Sequence, residues 1–159
     1  FKLQLNKLKS GDTIRAFGPL GYFDFNVKNK RPKIFLAGGM GITPYHSILR
    51  YIKAKKINTK IVLIASFSSR DEVIFQKELK SIENKNIKVV YTLTNKKSSS
   101  TAFENGRINE SMIKKFASDY KNSDFFVVGP EAFEQTMLTI IKNMGIVEEN
   151  IFTDNFPGY

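Results

Sequence analysis

Short apolar runs alternate along this chain with segments whose apolar residues recur at helical spacing. Lys33-Ile34-Phe35-Leu36-Ala37 is a compact apolar run that meets Gly38-Gly39-Met40-Gly41 at once, the pattern of a buried parallel strand entering a tight turn. Thr43 is a good N-cap residue and Pro44 suits a first helical position, so a helix is expected from there through Ile48, Leu49 and Ile52 to about Lys55. The unit then repeats. Ile61–Ala65 reads as a second strand, and Ser69-Arg70-Asp71-Glu72 offers a capping box before a helix carrying Phe75, Leu79 and Ile82. Ile87–Tyr91 reads as a third strand, and the polar stretch from Asn95 to Gly106, with Ser98-Ser99-Ser100, as a long loop before a helix around Ser111–Phe116. Phe125–Val128 is a fourth strand, turned by Gly129-Pro130 into a helix with Phe133, Met137, Leu138, Ile141 and Met144. Gly145 takes the C-terminal cap position, and Ile151-Phe152 opens a fifth strand.

Alternating strands and helices joined by short links imply a doubly wound α/β fold, here a five-stranded parallel sheet covered on both faces. That scheme holds from Arg31 onward. Residues 1–30 read instead as antiparallel strands and turns, with Leu3, Leu5 and Leu8 followed by Gly11-Asp12, Gly18-Pro19 and Gly21. They are expected to be the end of another domain, which divides the chain into 1–30 and 31–159.

Composition narrows the chemistry. With 159 residues there is chain for one principal core. Cys is absent and His46 is the single histidine, which leaves no thiol nucleophile, no Cys-ligated metal or cluster and no imidazole pair. No apolar run approaches the roughly 20 residues a bilayer span needs. A cytoplasmic setting is expected, or the cytoplasmic face of a membrane if a membrane domain is attached. Lys and Arg number 25 against 15 Asp and Glu, a net charge of +10, which suits an acidic partner or an anionic surface. Scattered lysines on solvated helix faces explain the same number more plainly.

In open α/β sheets ligands bind at the carboxyl ends of the strands, near the reversal of strand order. Three turns converge there. Gly38, Gly39, Gly41, Ile42, Thr43 and Pro44 would set backbone N–H groups and a helix N-terminus beside a phosphate, although a structural tight turn has the same spelling. The second turn, with Ser66, Ser68 and Arg70, follows the second strand, where a carboxylate accepts from an adenosine 2′-hydroxyl and an arginine pairs with a 2′-phosphate. Capping accounts for Asp71 and Glu72 but not for Arg70, whose charge is unfavourable at a helix N-terminus. The third turn carries Gly129, Pro130 and Phe133, which a Pro-initiated helix alone also explains. His46 lacks a partner by spacing and reads as a packed or surface residue. The acidic residues from Asp71 to Glu83 read as a solvated face rather than an acid–base pair.

Several motifs in fixed order resemble the pyridine-nucleotide domain of the ferredoxin–NADP reductase-like flavoenzymes, which include phthalate dioxygenase reductase and the reductase part of flavohaemoglobins. Gly18-Pro19-Leu20-Gly21-Tyr22-Phe23 is similar to the exit from the family's flavin barrel, and Leu36–Pro44 to its pyrophosphate and nicotinamide loop. Arg70 matches the residue used around the adenosine end, Gly106-Arg107-Ile108 the segment before the fourth helix, and Val128–Phe133 the nicotinamide-side turn. Asp154-Asn155-Phe156-Pro157-Gly158-Tyr159 is similar to the family's terminal acidic-x-Phe-x-Gly-Tyr. Val128 stands where some relatives have Cys, and Asp154 where Glu is common.

The resemblance implies an NAD(P)H-dependent flavin oxidoreductase of which this chain is the nucleotide-binding part. Gly39, Gly41 and Thr43 would hold the pyrophosphate and nicotinamide ribose, Arg70 the adenosine end, and Gly129, Pro130 and Phe133 the nicotinamide side. Phe156 and Tyr159 would lie near the flavin; with Thr43 they stand closest to the reacting rings. FAD would be held mainly by a domain outside this chain, and electrons would pass to a ferredoxin, flavodoxin, iron–sulfur or haem centre, with no nucleic-acid partner and no metal. NADH is favoured over NADPH because no second basic residue lies near Arg70 in its turn. Two other readings remain at this stage: a basic nucleic-acid or anion-binding module, and a regulatory remnant without turnover.

Overall fold

A computed structural model of the protein describes residues 2–18, 25–26, 28–95 and 101–155. The motif residues Pro19 to Phe23, Ser98 to Ser100, Phe156 and Tyr159 lie outside the described residues. Six parallel strands form one sheet: β1 (Lys33–Gly38), β2 (Ile61–Phe67), β3 (Ile87–Leu93), β4 (Glu104–Asn105), β5 (Asp124–Gly129) and β6 (Ile151–Asn155). Their order is β4-β3-β2-β1-β5-β6. The chain therefore leaves β1 in one direction and later returns to its other side, which puts the topological switch between β1 and β5. The sixth strand relative to expectation is β4, a two-residue strand pairing Thr92 with Glu104 and Leu93 with Asn105; two residues are too few to carry a periodicity.

Every residue of β1 and β5 is buried, as continuous apolar runs covered on both faces require. On one face Phe35, Leu63, Phe126 and Val128 pack with Tyr45, Leu49 and Ile52 of α2 (Ile42–Lys55). On the other, Leu36, Ile64 and Val127 pack with Met112 and Ile113 of α4 (Glu110–Phe116) and with Met137 and Ile141 of α5 (Glu131–Asn143). Asn109 caps α4 by accepting from the Met112 N–H at 2.9 Å, and Gly145, at φ +79°, ends the last turn after α5.

Three expectations change. The helix after Ser69 does not form from a capping box: a 3-10 turn, Arg70–Glu72, comes first and α3 is only Gln76–Lys80. Glu72 accepts from the Ser68 N–H at 3.3 Å, one residue ahead of its capping-box position. Phe75, at φ +58°, breaks the helical run, in exchange for a ring stack on His46 at 3.9 Å. The second change concerns residues 2–18, which hold a single helical turn, α1 (Lys2–Leu5), and no strand among the described residues. Strands need partners to satisfy their ladders, and none pairs with residues 2–18 among the described residues. The third concerns the start of α2, taken up below.

At the opposite end of the sheet from the switch-point turns, Asp124 accepts from Arg31 Nε at 2.7 Å and from Asn29 Nδ2 at 2.8 Å. The Lys33 ammonium lies 3.6 Å from the same carboxylate and donates to the Asn29 and Arg31 carbonyls. Burial lowers the Lys33 pKa below that of a free lysine, against the pull of Asp124. The network ties the segment entering β1 to the start of β5.

Candidate nucleotide-binding crevice

The carboxyl ends of β1 and β5 approach backbone to backbone. A Cβ on Gly129 would stand 3.2 Å from Gly38 Cα and 2.7 Å from the Phe133 ring; one on Gly38 would meet the same ring at 2.7 Å. Phe133, partly buried, thus packs against both glycines beneath the switch point from the α5 side. Gly41 is tighter still, with a Cβ position 2.1 Å from the Val128 carbonyl oxygen. Gly39 differs from all three. It adopts φ +53° and nothing lies within 4 Å of its Cβ position, so it is glycine for its backbone and leaves open space above the turn.

The helical run begins earlier than Thr43. Residues Gly39–Gly41 form a 3-10 turn continuous with α2, and the Ile42 N–H donates to the Gly39 carbonyl. The donors without an intrahelical partner therefore belong to Gly39, Met40 and Gly41, at the positive end of the dipole of a 14-residue helix. Thr43 is not an N-cap. Pro44 has no N–H to give to the Met40 carbonyl, four residues back, and the exposed Thr43 hydroxyl donates to that carbonyl instead, at 2.5 Å. Ile42 is fully buried in the core; with its N–H also engaged, it supports the turn rather than meeting a ligand.

Parallel register carries the crevice sideways, Gly38 lying beside Ser66 and Ser66 beside Thr92. The Ser68 carbonyl accepts from the Asn95 N–H at 3.1 Å. Arg70 is exposed, its guanidinium 5.9 Å from the centre of the Phe103 ring. Phe103 was not foreseen as a support for Arg70, and no local signal marks it: the contact spans 33 positions and the ring comes from the segment before β4. Asp71 and Glu72 are exposed beside Arg70. Pro130 is exposed at the start of α5. His46 is removed from chemistry by its geometry, since its Nε2 meets Glu78 at 2.7 Å and its ring is covered by Phe75, joining α2 to α3.

On the far side, Tyr45 is buried, stacked on Phe35 at 4.5 Å, and its hydroxyl lies 3.4 Å from the Leu36 carbonyl. Burial, with the negative charge of Asp154 behind it, pushes its pKa well above that of a free tyrosine. Among the described residues no group of three or more His, Cys, Asp or Glu is placed to hold a metal, and no helix is long and apolar enough to cross a membrane.

The residues 35–138 match the model of the oxidoreductase NAD-binding domain. The chain belongs to this family. An NAD-binding domain of this kind is 29% identical over 164 residues to the NADPH nitrate reductase of Emericella nidulans, an alignment that takes in 92% of this chain and 19% of that protein. It is 28% identical over 146 residues to NADH-cytochrome b5 reductase 1 of Dictyostelium discoideum, covering 90% of this chain and 51% of that one. Its fold superposes with a TM-score of 0.83 on the flavohaem-like FAD/NAD-binding domain of nitric oxide dioxygenase from Vibrio cholerae, at 20% identity, over 98% of this chain and 63% of that chain. The NAD-binding domain thus spans between a fifth and a half of these curated relatives. The match agrees with the resemblance carried by the sequence motifs.

Proposed function

We propose that this chain binds NAD(P)H across the β1–β5 crevice and presents its nicotinamide to an FAD held mainly outside the chain. The observation that carries the reading is the backbone contact of Gly38, Gly41 and Gly129 under the open turn at Gly39. A pyrophosphate needs backbone donors that it can approach without side chains in the way. Here the donors of Gly39–Gly41 stand over a floor closed by Phe133 and Val128. Arg70, held over Phe103, is the cation for the adenosine end, with the Ser66 and Ser68 turn beneath it. Thr43 and Pro130 flank the position of the nicotinamide ribose and ring, and Phe156 and Tyr159 are assigned to the flavin side. Asp71 and Glu72 beside Arg70 favour a 2′-hydroxyl over a 2′-phosphate, hence NADH.

Bound together, a reduced nicotinamide and a flavin supply hydride transfer themselves. The chain's part is to orient the dinucleotide and to exclude water from the buried ends of β1 and β5. That no acid–base pair stands in the crevice among the described residues suits that role. In the complete protein, residues 1–30 are assigned to the end of the flavin domain and 31–159 to the nucleotide domain. Exposed Leu3, Leu8, Ile14 and Phe17 support the assignment, because a run of exposed apolar residues calls for a further surface to cover it. The acceptor is a further protein or domain, acidic or haem-bearing, on the cytoplasmic side.

The test is an NMR titration of the labelled chain with NADH and, separately, NADPH. Shifts should gather at Gly39–Thr43, Arg70 and Gly129–Phe133, with tighter binding of NADH. Shifts confined to other surfaces would overturn the site, and stronger binding of NADPH would overturn the choice of cofactor.

A further inference from the structure

The nucleotide crevice uses the carboxyl ends of the strands, and the opposite end of the sheet carries the charge. Five segments enter strands there: 29–33, 53–60, 80–88, 114–124 and 142–150. They hold fourteen Lys or Arg and five Asp or Glu, a balance of +9 out of the chain's +10. Eleven basic and ten acidic residues make up the rest, so the net charge is gathered at one pole rather than scattered. Backbone bonds hold these segments in a row. The Lys33 N–H donates to the Lys60 carbonyl at 2.9 Å, Ile61 to Asn86 at 2.8 Å, and Asp124 to Pro32 at 2.9 Å.

Six of the fourteen cations are already paired. Arg31 and Lys33 face Asp124, and Lys80, Lys114, Lys115 and Lys142 each meet a glutamate. The other eight are exposed lysines with no carboxylate partner among the described residues. The acids left at this end are Asp119, which accepts from Asn122, and exposed Glu149. Two open grooves run between the segments. One, of about 340 Å³, is lined by Lys53, Lys56 and Lys85 with Asn58 and Asn84. The other, of about 280 Å³, is lined by Lys60, Lys85 and Lys88 with Phe116, Ser118 and Asp119.

We propose that this pole of the sheet is a docking face for an anionic lipid bilayer. The cations without a carboxylate partner are all lysines, two of them with weaker holds, Lys53 on the Ser81 carbonyl and Lys88 over the Phe116 ring, and lysines are point charges on flexible stems that respond to charge density. A carboxylate-bearing protein surface read for its shape would call for the planar fork of arginine, and the arginine at this end is spent on Asp124. These lysines come from four strand entries, those of β3, β2, β1 and β5, which are neighbours in the sheet, a width of roughly 14 Å at the usual strand spacing, which fits a broad charged plane. The grooves are of headgroup size and offer ammonium and amide donors to a phosphodiester. Attraction to such a plane accumulates with each lysine near it and fades with salt. The inference does not depend on the nucleotide reading, because it uses the other end of the strands.

The test is co-sedimentation of the chain with vesicles of phosphatidylcholine alone and of phosphatidylcholine with phosphatidylserine, at about 0.15 M and about 0.5 M salt. Binding is expected only to the phosphatidylserine vesicles and only at the lower salt. The triple variant Lys60→Gln, Lys85→Gln, Lys88→Gln should bind at least about tenfold more weakly. An equal loss of charge elsewhere, Arg50→Gln, Lys77→Gln, Arg107→Gln, should change binding less than about twofold. All six positions are exposed, so both variants should keep the parent's thermal midpoint. No binding to phosphatidylserine, or equal weakening by both triple variants, would overturn the proposal. Binding to polyglutamate or heparin without binding to the vesicles would overturn it in favour of a macromolecular polyanion.

Discussion

The Thr43 hydroxyl donates to the Met40 carbonyl, the acceptor that Pro44 leaves without its helical N–H. The pair Thr43-Pro44 is therefore a repair of the first turn of α2 rather than its cap. Thr43→Val should cost about 1 kcal/mol in urea denaturation, while Thr43→Ser keeps most of that. Nucleotide affinity should fall with the valine variant, because the turn it loosens carries the donors of Gly39–Gly41.

The glycines of the crevice should separate by cause. Gly41→Ala drives a methyl into the backbone carbonyl of Val128, which no side-chain rotation relieves, so a loss of about 3 kcal/mol or more is expected. Gly39→Ala meets no atom but must hold φ +53°, at a cost of about 1–2 kcal/mol. Thermal denaturation should rank Gly41→Ala well below Gly39→Ala, and both should weaken NADH binding.

Exposed Arg70 should act on affinity with little effect on stability, whereas Phe103, buried in the core beside Tyr91, should act on both. Arg70→Ala removes a charged hydrogen-bond donor and should weaken NADH binding by roughly 10- to 100-fold, from about 1.5–3 kcal/mol. Phe103→Leu removes the ring beneath the guanidinium and should weaken it by only about threefold, from the modest strength of an exposed cation–π contact. Calorimetric titration checks both. Equal affinities for the parent and Arg70→Ala would remove Arg70 from the site.

The Lys33–Asp124 network should respond asymmetrically. Asp124→Ala leaves the buried Lys33 ammonium unpaired and should destabilise by about 3–5 kcal/mol, whereas Lys33→Met keeps Asp124 with Arg31 and Asn29 and should be near neutral. Because the Lys33 pKa is lowered in the folded protein, the native state gives up this proton first. The contribution of Lys33 to stability therefore rises with pH between its folded pKa and the ordinary lysine value. The Lys33→Met variant should lack that rise in denaturation curves measured across this range.

Tyr45 and Tyr91 predict the alkaline limit. Burial raises both phenol pKa values, Asp154 adding to the first and Glu83 to the second. In the unfolded chain both ionise near pH 10, so the native state holds two more protons above that pH. The stability they contribute is complete below about pH 10 and is lost as pH climbs towards the folded values. Ultraviolet titration should show the Tyr45 and Tyr91 phenols ionising only as the fold is lost; Tyr45→Phe should reduce that late ionisation by one phenol.

The strand–turn–helix order and the glycine turns were legible because each is a local signal. Ile34–Ala37 and Phe125–Val128 are apolar runs with no polar interruption, and Gly145 marks the end of its helix alone. What was not legible depends on partners remote in sequence. Phe75 leaves helical geometry for a stack on His46, 29 positions earlier, so the apparent helix from Ser69 shrinks to Gln76–Lys80. β4 is two residues that become a strand only beside Leu93. The lysines look scattered in the sequence because they recur once per βα unit, at the one place in each unit that returns to the same end of the sheet.

Arg70 stands at the exit of β2 and rests on a ring supplied from beside β4, while the pyrophosphate turn is built wholly at the junction of β1 with β5. The two ends of the proposed nucleotide site meet only through the sheet, where Gly38 lies beside Ser66, and through the core beneath it, which holds both Ile42 and Phe103. Arg70, Asp71 and Glu72 are solvent-facing, so exchanging them disturbs little beyond the guanidinium's contact with Phe103 and the Glu72 bond to the Ser68 N–H. On the proposed reading, cofactor preference is consequently a trait that exchange of surface residues alone can revise, while the glycine junction leaves no room for a side chain at Gly41.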